Sequence, residues 1–159
     1  MRTRIPRRST QGFLSRLSEQ IPAGKSHTET GALGGGVVTS ALVAIVDDDP
    51  RIQELLGAEL TDLDQPHCSY SSADALLGDI NNSKPALIFL DVLMPGMGGM
   101  ECLQQLRQQG FGGAVVMFSA LNDAELQEQA KAAGANGWVL KAALFDNVEA
   151  VLNRYLAQA

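Results

Sequence analysis

Cysteine is almost absent from this chain, with two residues, Cys68 and Cys102, among 159. That is too few for a disulfide framework, and neither has a partner at metal-ligand spacing, so both read as small buried hydrophobes in a reducing compartment. No His/Cys cluster offers zinc a site. Long apolar runs are missing too. The longest uncharged stretch, Gly31 to Val46, has 16 residues and four glycines, short of the ~20 apolar residues that a spanning helix needs. No apolar run follows the arginine-rich start, which argues against a secretory signal. Basic residues are sparse where a nucleic-acid binder would need them. Residues 1–40 hold six basic and two acidic residues (+4), whereas residues 41–159 hold six basic and sixteen acidic (−10). A phosphate backbone repels so acidic a globule. The expectation is a cytoplasmic protein with no membrane and no direct nucleic-acid partner.

Hydrophobic residues make up 45% and charged residues 19% of the chain, enough apolar material for one core and one domain. Residues 1–40 read as a basic, disordered extension, because Arg, Ser and Gly with few large apolar side chains do not offset the entropy of ordering. Their Arg/Ser-rich opening also has the look of an organelle transit peptide, and a translation start near Val37 or Val38 is a third reading. Residues 41–159 read as the domain. There, short apolar runs alternate with helical stripes, the pattern of βα units around a parallel sheet. Leu42–Val46, His67–Tyr70, Ala86–Leu90, Ala114–Phe118 and Gly137–Leu140 are the expected strands. The first, third and fourth are nearly continuous apolar, as strands buried on both faces are. Ile52, Leu55, Leu56, Leu60 and Leu63 form one helical stripe, and Val148, Val151, Leu152, Tyr155 and Leu156 another. Gly78, Gly110 and Gly134 are expected at helix ends.

In doubly wound sheets chemistry collects at the carboxyl ends of the strands. Here the first expected strand ends in Asp47-Asp48-Asp49, the third in Asp91, the fourth in Ser119 and the fifth in Lys141. Carboxylates converging on one crevice repel each other unless a cation sits among them. All-oxygen ligation suits Mg²⁺, with Mn²⁺ as the alternative. A carboxylate nucleophile, an ammonium and a hydroxyl beside such an ion describe a phosphoryl acceptor site. Asp49, followed by Pro50, reads as a helix N-cap, which leaves Asp47 and Asp48 as the acid pair.

Four strings, AIVDDDP, LIFLDVLMPGMGGME, VVMFSA and GWVLK, resemble the signature blocks of response-regulator receiver domains over about residues 41–158. Ser119 lies 28 residues after Asp91, and Lys141 lies 22 after Ser119, which is family-like spacing. The resemblance implies an α/β fold, a five-stranded parallel sheet in the (βα)5 flavodoxin-like arrangement. It implies that Asp91 is the phosphoacceptor, and that Asp47, Asp48, Asp91 and the Leu93 backbone carbonyl hold Mg²⁺. Lys141 and Ser119 would bind the phosphoryl group, and Ser119 and Trp138 would act as the switch. Ala120 would keep the donor's entry open. The implied partners are a sensor histidine kinase or histidine phosphotransfer protein and an unknown downstream protein. The implied state is a monomer or a phosphorylation-dependent dimer.

After Lys141 only 18 residues remain, so a stand-alone receiver is expected, a phosphoacceptor switch and not an enzyme, with slow self-dephosphorylation. A degenerate receiver used only as an interaction module is the alternative. A haloacid-dehalogenase-type hydrolase needs a second Asp where Leu93 stands, and a flavodoxin needs a hydroxyl-rich loop after the first strand. Three positions depart from the family pattern. Ala142 stands where many receivers carry a cis proline, which implies a looser loop after Lys141. Gly98 stands at a helix-cap position usually filled by Asp or Ser. Trp138 replaces the usual Tyr or Phe.

Overall fold

The computed structural model describes residues 41–156; the reading of residues 1–40 as an extension lies outside them. Five strands and five helices alternate: β1 (Val43–Val46), α1 (Pro50–Asp62), β2 (His67–Tyr70), α2 (Ala73–Ser83), β3 (Leu87–Asp91), α3 (Gly99–Gln108), β4 (Ala114–Ser119), α4 (Ala124–Ala132), β5 (Gly137–Leu140) and α5 (Lys141–Leu156). The strands form one parallel sheet in the order β2-β1-β3-β4-β5. Every residue of β1, β3 and β4 is buried, as their unbroken apolar runs require.

Alternation along the strands splits the core in two. Val43, Ile45, Leu87, Phe89, Val116 and Phe118 face α1 and α5, meeting Leu56, Leu60, Leu144, Val148 and Leu152. Phe89 and Phe118 pack there edge to face, with ring centroids 6.1 Å apart. Ala44, Val46, Ile88, Leu90, Val115 and Met117 face the opposite way, against Leu76, Ile80, Leu103 and Leu106 of α2 and α3. Burying one such side chain is worth roughly 1.5–3 kcal/mol. α4 contributes only Ala130 as a buried residue. No helix among the described residues is long and apolar enough to cross a membrane.

Several expectations need correction. Gly78 does not end a helix. It sits inside α2, exposed, while Leu76 and Ile80 on either side are buried and carry the helix to Lys84, which closes it at φ 46°. Packing outweighs the ~1 kcal/mol that glycine costs in a helix. Gly110 and Gly134 do follow their helices with positive φ, 88° and 106°. Leu55 is 55% exposed and leaves the α1 stripe. β1 and β3 start one residue later than expected, and β3 and β4 extend by one to Asp91 and Ser119. β5 stops at Leu140, and Lys141 opens α5 directly, so no loose loop follows it; α5 bends instead at Asn147 (φ −134°), whose side-chain amide bonds the Ala143 carbonyl at 2.7 Å.

Candidate functional site

The sheet order reverses between β1 and β3, and there the ends of two central strands open a crevice. Asp47 follows β1 directly and is fully buried. Its backbone N–H donates to the Tyr70 carbonyl at 3.2 Å, which extends the β1–β2 ladder by one rung. Asp47 Oδ1 accepts the Asp49 N–H at 2.8 Å. Asp48 is exposed. Asp49 turns away to cap α1, accepting the Arg51 N–H at 2.9 Å with Pro50 in the first turn, as its sequence context predicts. The Arg51 side chain and N–H hold the Asp49 carboxyl below the usual range.

Asp91 ends β3 and is 4% exposed. One carboxylate oxygen each from Asp47, Asp48 and Asp91 lie within 4.8 Å of one another. Lys141 Nζ sits 2.8 Å from Asp47 Oδ2 and 3.3 Å from Asp91 Oδ1, with the Phe118 ring centroid 5.2 Å away. The ammonium is the one cation beside Asp47 Oδ2 among the described residues. Three carboxylates against one ammonium leave a deficit of positive charge. Burial pushes the Asp91 carboxyl up to about 6, the Asp47 charge adds to the rise, and Lys141 opposes both. Burial works against the Lys141 ammonium, but Asp47 and Asp91 outweigh it and hold its pKa above the ordinary value. The uncompensated negative charge and the cluster of hard carboxylate oxygens together fit a small divalent cation.

Of the remaining expected residues, Ser119 and Ala120 stand at the end of β4, Leu93 follows β3, Trp138 lies within β5 and Gly98 caps α3. Ser119, 1% exposed, ends β4 one position beyond Phe118, the residue paired with Asp91. Its Oγ accepts the Leu121 N–H at 2.9 Å. Ala120 is exposed. The Leu93 N–H bonds the Asp91 carboxylate, while the Leu93 side chain is 60% exposed and that of Leu121 40%. Neither leucine is packed down over the site. Trp138 pairs with Met117 across β4–β5 and is half-buried against the α2/α3 core; its indole N–H is buried with no partner among the described residues. Gly98 caps α3 with no side-chain bond.

Three contributors went unseen in the sequence. Gly99 packs so tightly under β3 that a Cβ there would collide with the Asp91 carbonyl oxygen, and its N–H bonds the Val92 carbonyl at 2.9 Å. The paired glycines Gly98-Gly99 were the available signal. Gln53 bonds the Asp47 carbonyl at 2.6 Å. Arg107 makes five hydrogen bonds of 2.7–3.1 Å to Phe111, Gly113, Gly134 and Asn136, tying the end of α3 to the turn that enters β5. Nothing local marks either side chain.

The family described as response regulator receiver domain matches residues 43–153. The transcriptional regulatory protein MalR of Bacillus subtilis is 31% identical over 118 residues, covering 71% of this chain and 49% of MalR. The nitrate/nitrite response regulator protein NarL of Escherichia coli is 46% identical over 57 residues, 36% of this chain and 26% of NarL. The chain thus spans half or less of these curated relatives. Among solved structures, chemotaxis protein CheY4 of Vibrio cholerae matches with a TM-score of 0.69 at 25% identity, covering 74% of this chain and 99% of that one. The BeF3-activated receiver domain of Klebsiella pneumoniae RstA matches with a TM-score of 0.68 at 28% identity, covering 72% and 97%.

Proposed function

The chain belongs to the response regulator receiver domain family, and on that premise we propose that Asp91 accepts a phosphoryl group from a phosphohistidine on a sensor histidine kinase or histidine phosphotransfer protein. The observation that carries this reading is the crevice cluster, three carboxylate oxygens within 4.8 Å and an ammonium 3.3 Å from Asp91. With its carboxyl titrating at about 6, Asp91 is ionised at neutral pH and available as a nucleophile. Its oxygen forms the new bond to phosphorus as the phosphorus–nitrogen bond breaks, and the imidazole leaves with that electron pair.

The rest of the site positions and neutralises, which is most of what phosphoryl transfer asks of a protein. Lys141 pairs with one phosphoryl oxygen. Ser119 Oγ, already accepting the Leu121 N–H, keeps its own proton for another. Asp47, Asp48, Asp91 and the Leu93 carbonyl are the residues that would hold Mg²⁺, or Mn²⁺, with the clustered hard carboxylate oxygens as support. Such an ion supplies charge neutralisation for the transferring phosphoryl group. Exposed Ala120 leaves the mouth open to the donor. Once Ser119 is drawn to the phosphoryl group, the lightly anchored α4 and the half-buried Trp138 are the elements free to respond, and a downstream protein reads that change.

Intact-mass analysis after exposure to phosphoramidate and Mg²⁺ tests the assignment. One added phosphoryl group on the wild type and none on Asp91→Asn is the expected result. Equal labelling of both proteins places the acceptor elsewhere, and no labelling of either leaves an interaction module.

A further inference from the structure

We propose that Gln53 is a positioning residue for this site, its side-chain amide holding the Asp47–Asp48 peptide so that both carboxylates face one cation. The inference rests on the cation reading of the crevice given above. Adjacent residues of an extended strand point to opposite faces, yet Asp47 is buried, Asp48 is exposed, and both offer an oxygen to the same 4.8 Å cluster. The chain must therefore turn after Asp47, and the turned peptide must be held. Its N-terminal side is secured by the Asp47 N–H on the Tyr70 carbonyl, and the following turn by the Asp49 N–H on Asp47 Oδ1. The peptide between them presents its carbonyl to α1, where Gln53 Nε2 bonds it at 2.6 Å. The same nitrogen reaches Ser71 Oγ at 3.2 Å, so one amide joins α1, the end of β1 and the β2–α2 turn.

Rotation of this peptide would carry the Asp48 carboxylate away from Asp47 and Asp91 without unfolding anything. Gln53 is half-buried on a helix whose core contacts are Leu56 and Leu60, so losing the amide leaves the packing of α1 intact. A merely structural staple would act through both of its partners. A positioning residue acts through the Asp47 carbonyl alone, and the Ser71 contact is dispensable.

The test titrates Mg²⁺ chloride into the full-length chain by calorimetry, for wild type, Gln53→Met and Ser71→Ala, with urea midpoints measured alongside. Gln53→Met is expected to bind Mg²⁺ about fivefold more weakly, the scale of one hydrogen bond, and Ser71→Ala to bind as wild type does. With the defect confined to affinity, saturating Mg²⁺ restores the rate of phosphoramidate labelling in Gln53→Met. If that variant lacks a cooperative urea transition, Gln53→Leu is judged by the same criteria. Unchanged Mg²⁺ affinity in a folded variant, or an equal loss in Ser71→Ala, overturns this inference alone. Failure of the wild type to bind Mg²⁺ overturns the cation reading together with it.

Discussion

Replacing Asp91 with asparagine is expected to stabilise the metal-free protein even as it removes the proposed acceptor. Asp91 is 4% exposed, and its carboxyl is pushed up to about 6 by burial and by Asp47, against the pull of Lys141; the ordinary value is 3.8. The folded chain thus holds this proton more tightly than the unfolded chain, and between those two values it binds more protons. For this group, stability is fully present below the unfolded value and is lost as pH rises through the folded one. The loss amounts to roughly 3 kcal/mol at 1.36 kcal/mol per tenfold difference in proton affinity. Asparagine abolishes that titration. It also takes one partner from Lys141, which keeps Asp47 at 2.8 Å; the pull of Lys141 on Asp91 is already contained in the shift to about 6. The expected gain is therefore roughly 3 kcal/mol at pH 7, fading toward pH 4 as Asp91 takes up its proton. Urea unfolding in EDTA across this pH range, for wild type and Asp91→Asn, reads it directly. Added Mg²⁺ narrows the gap by binding the folded wild type. Parallel stability curves at every pH would refute the claim that this carboxylate is held in the fold at an energetic cost.

Three further outcomes are expected. Leu93 and Leu121, two residues after Asp91 and Ser119, carry no donor or acceptor to orient a hydrolytic water, so the aspartyl phosphate is expected to be long-lived. Leu93→Asn with Leu121→Glu is expected to lose phosphate about tenfold faster, well under full general-base assistance, and a phosphate-loss time course equal to wild type refutes this. Trp138, the sole tryptophan, is expected to change its fluorescence when beryllofluoride and Mg²⁺ bind; constant emission with binding shown by calorimetry makes it a static core residue. Arg107→Met removes five hydrogen bonds at once and is expected to lower the urea-derived stability by roughly 2–4 kcal/mol, against no change if solvent replaces those bonds freely.

The element order was legible because each strand and helix announces itself locally. Continuous apolar runs such as Leu87–Leu90 and Ala114–Phe118 can be satisfied only between two helical layers, and the acids stand where those runs stop. Asp49-Pro50 marked a cap that needs only its own neighbours, the Arg51 N–H among them. Gly78 and Leu55 misled for the complementary reason. Local rules expect glycine to end a helix and a leucine on an apolar stripe to be buried, but whether either happens depends on the neighbouring layer.

By itself, then, the sequence determined the βα alternation and the identity of the groups at the strand ends, because these follow from period, run length and residue chemistry. Tertiary structure alone decided how those groups act on one another. The shift of Asp91 to about 6 arises from burial and from Asp47, 44 positions earlier in the chain. Gly99 is required by a backbone that passes above it, Gln53 by the Asp47 carbonyl, and Arg107 by carbonyls up to 27 residues away. Each of these contacts exists only after the sheet has formed, when segments distant along the chain are brought together and share one set of charges and hydrogen bonds.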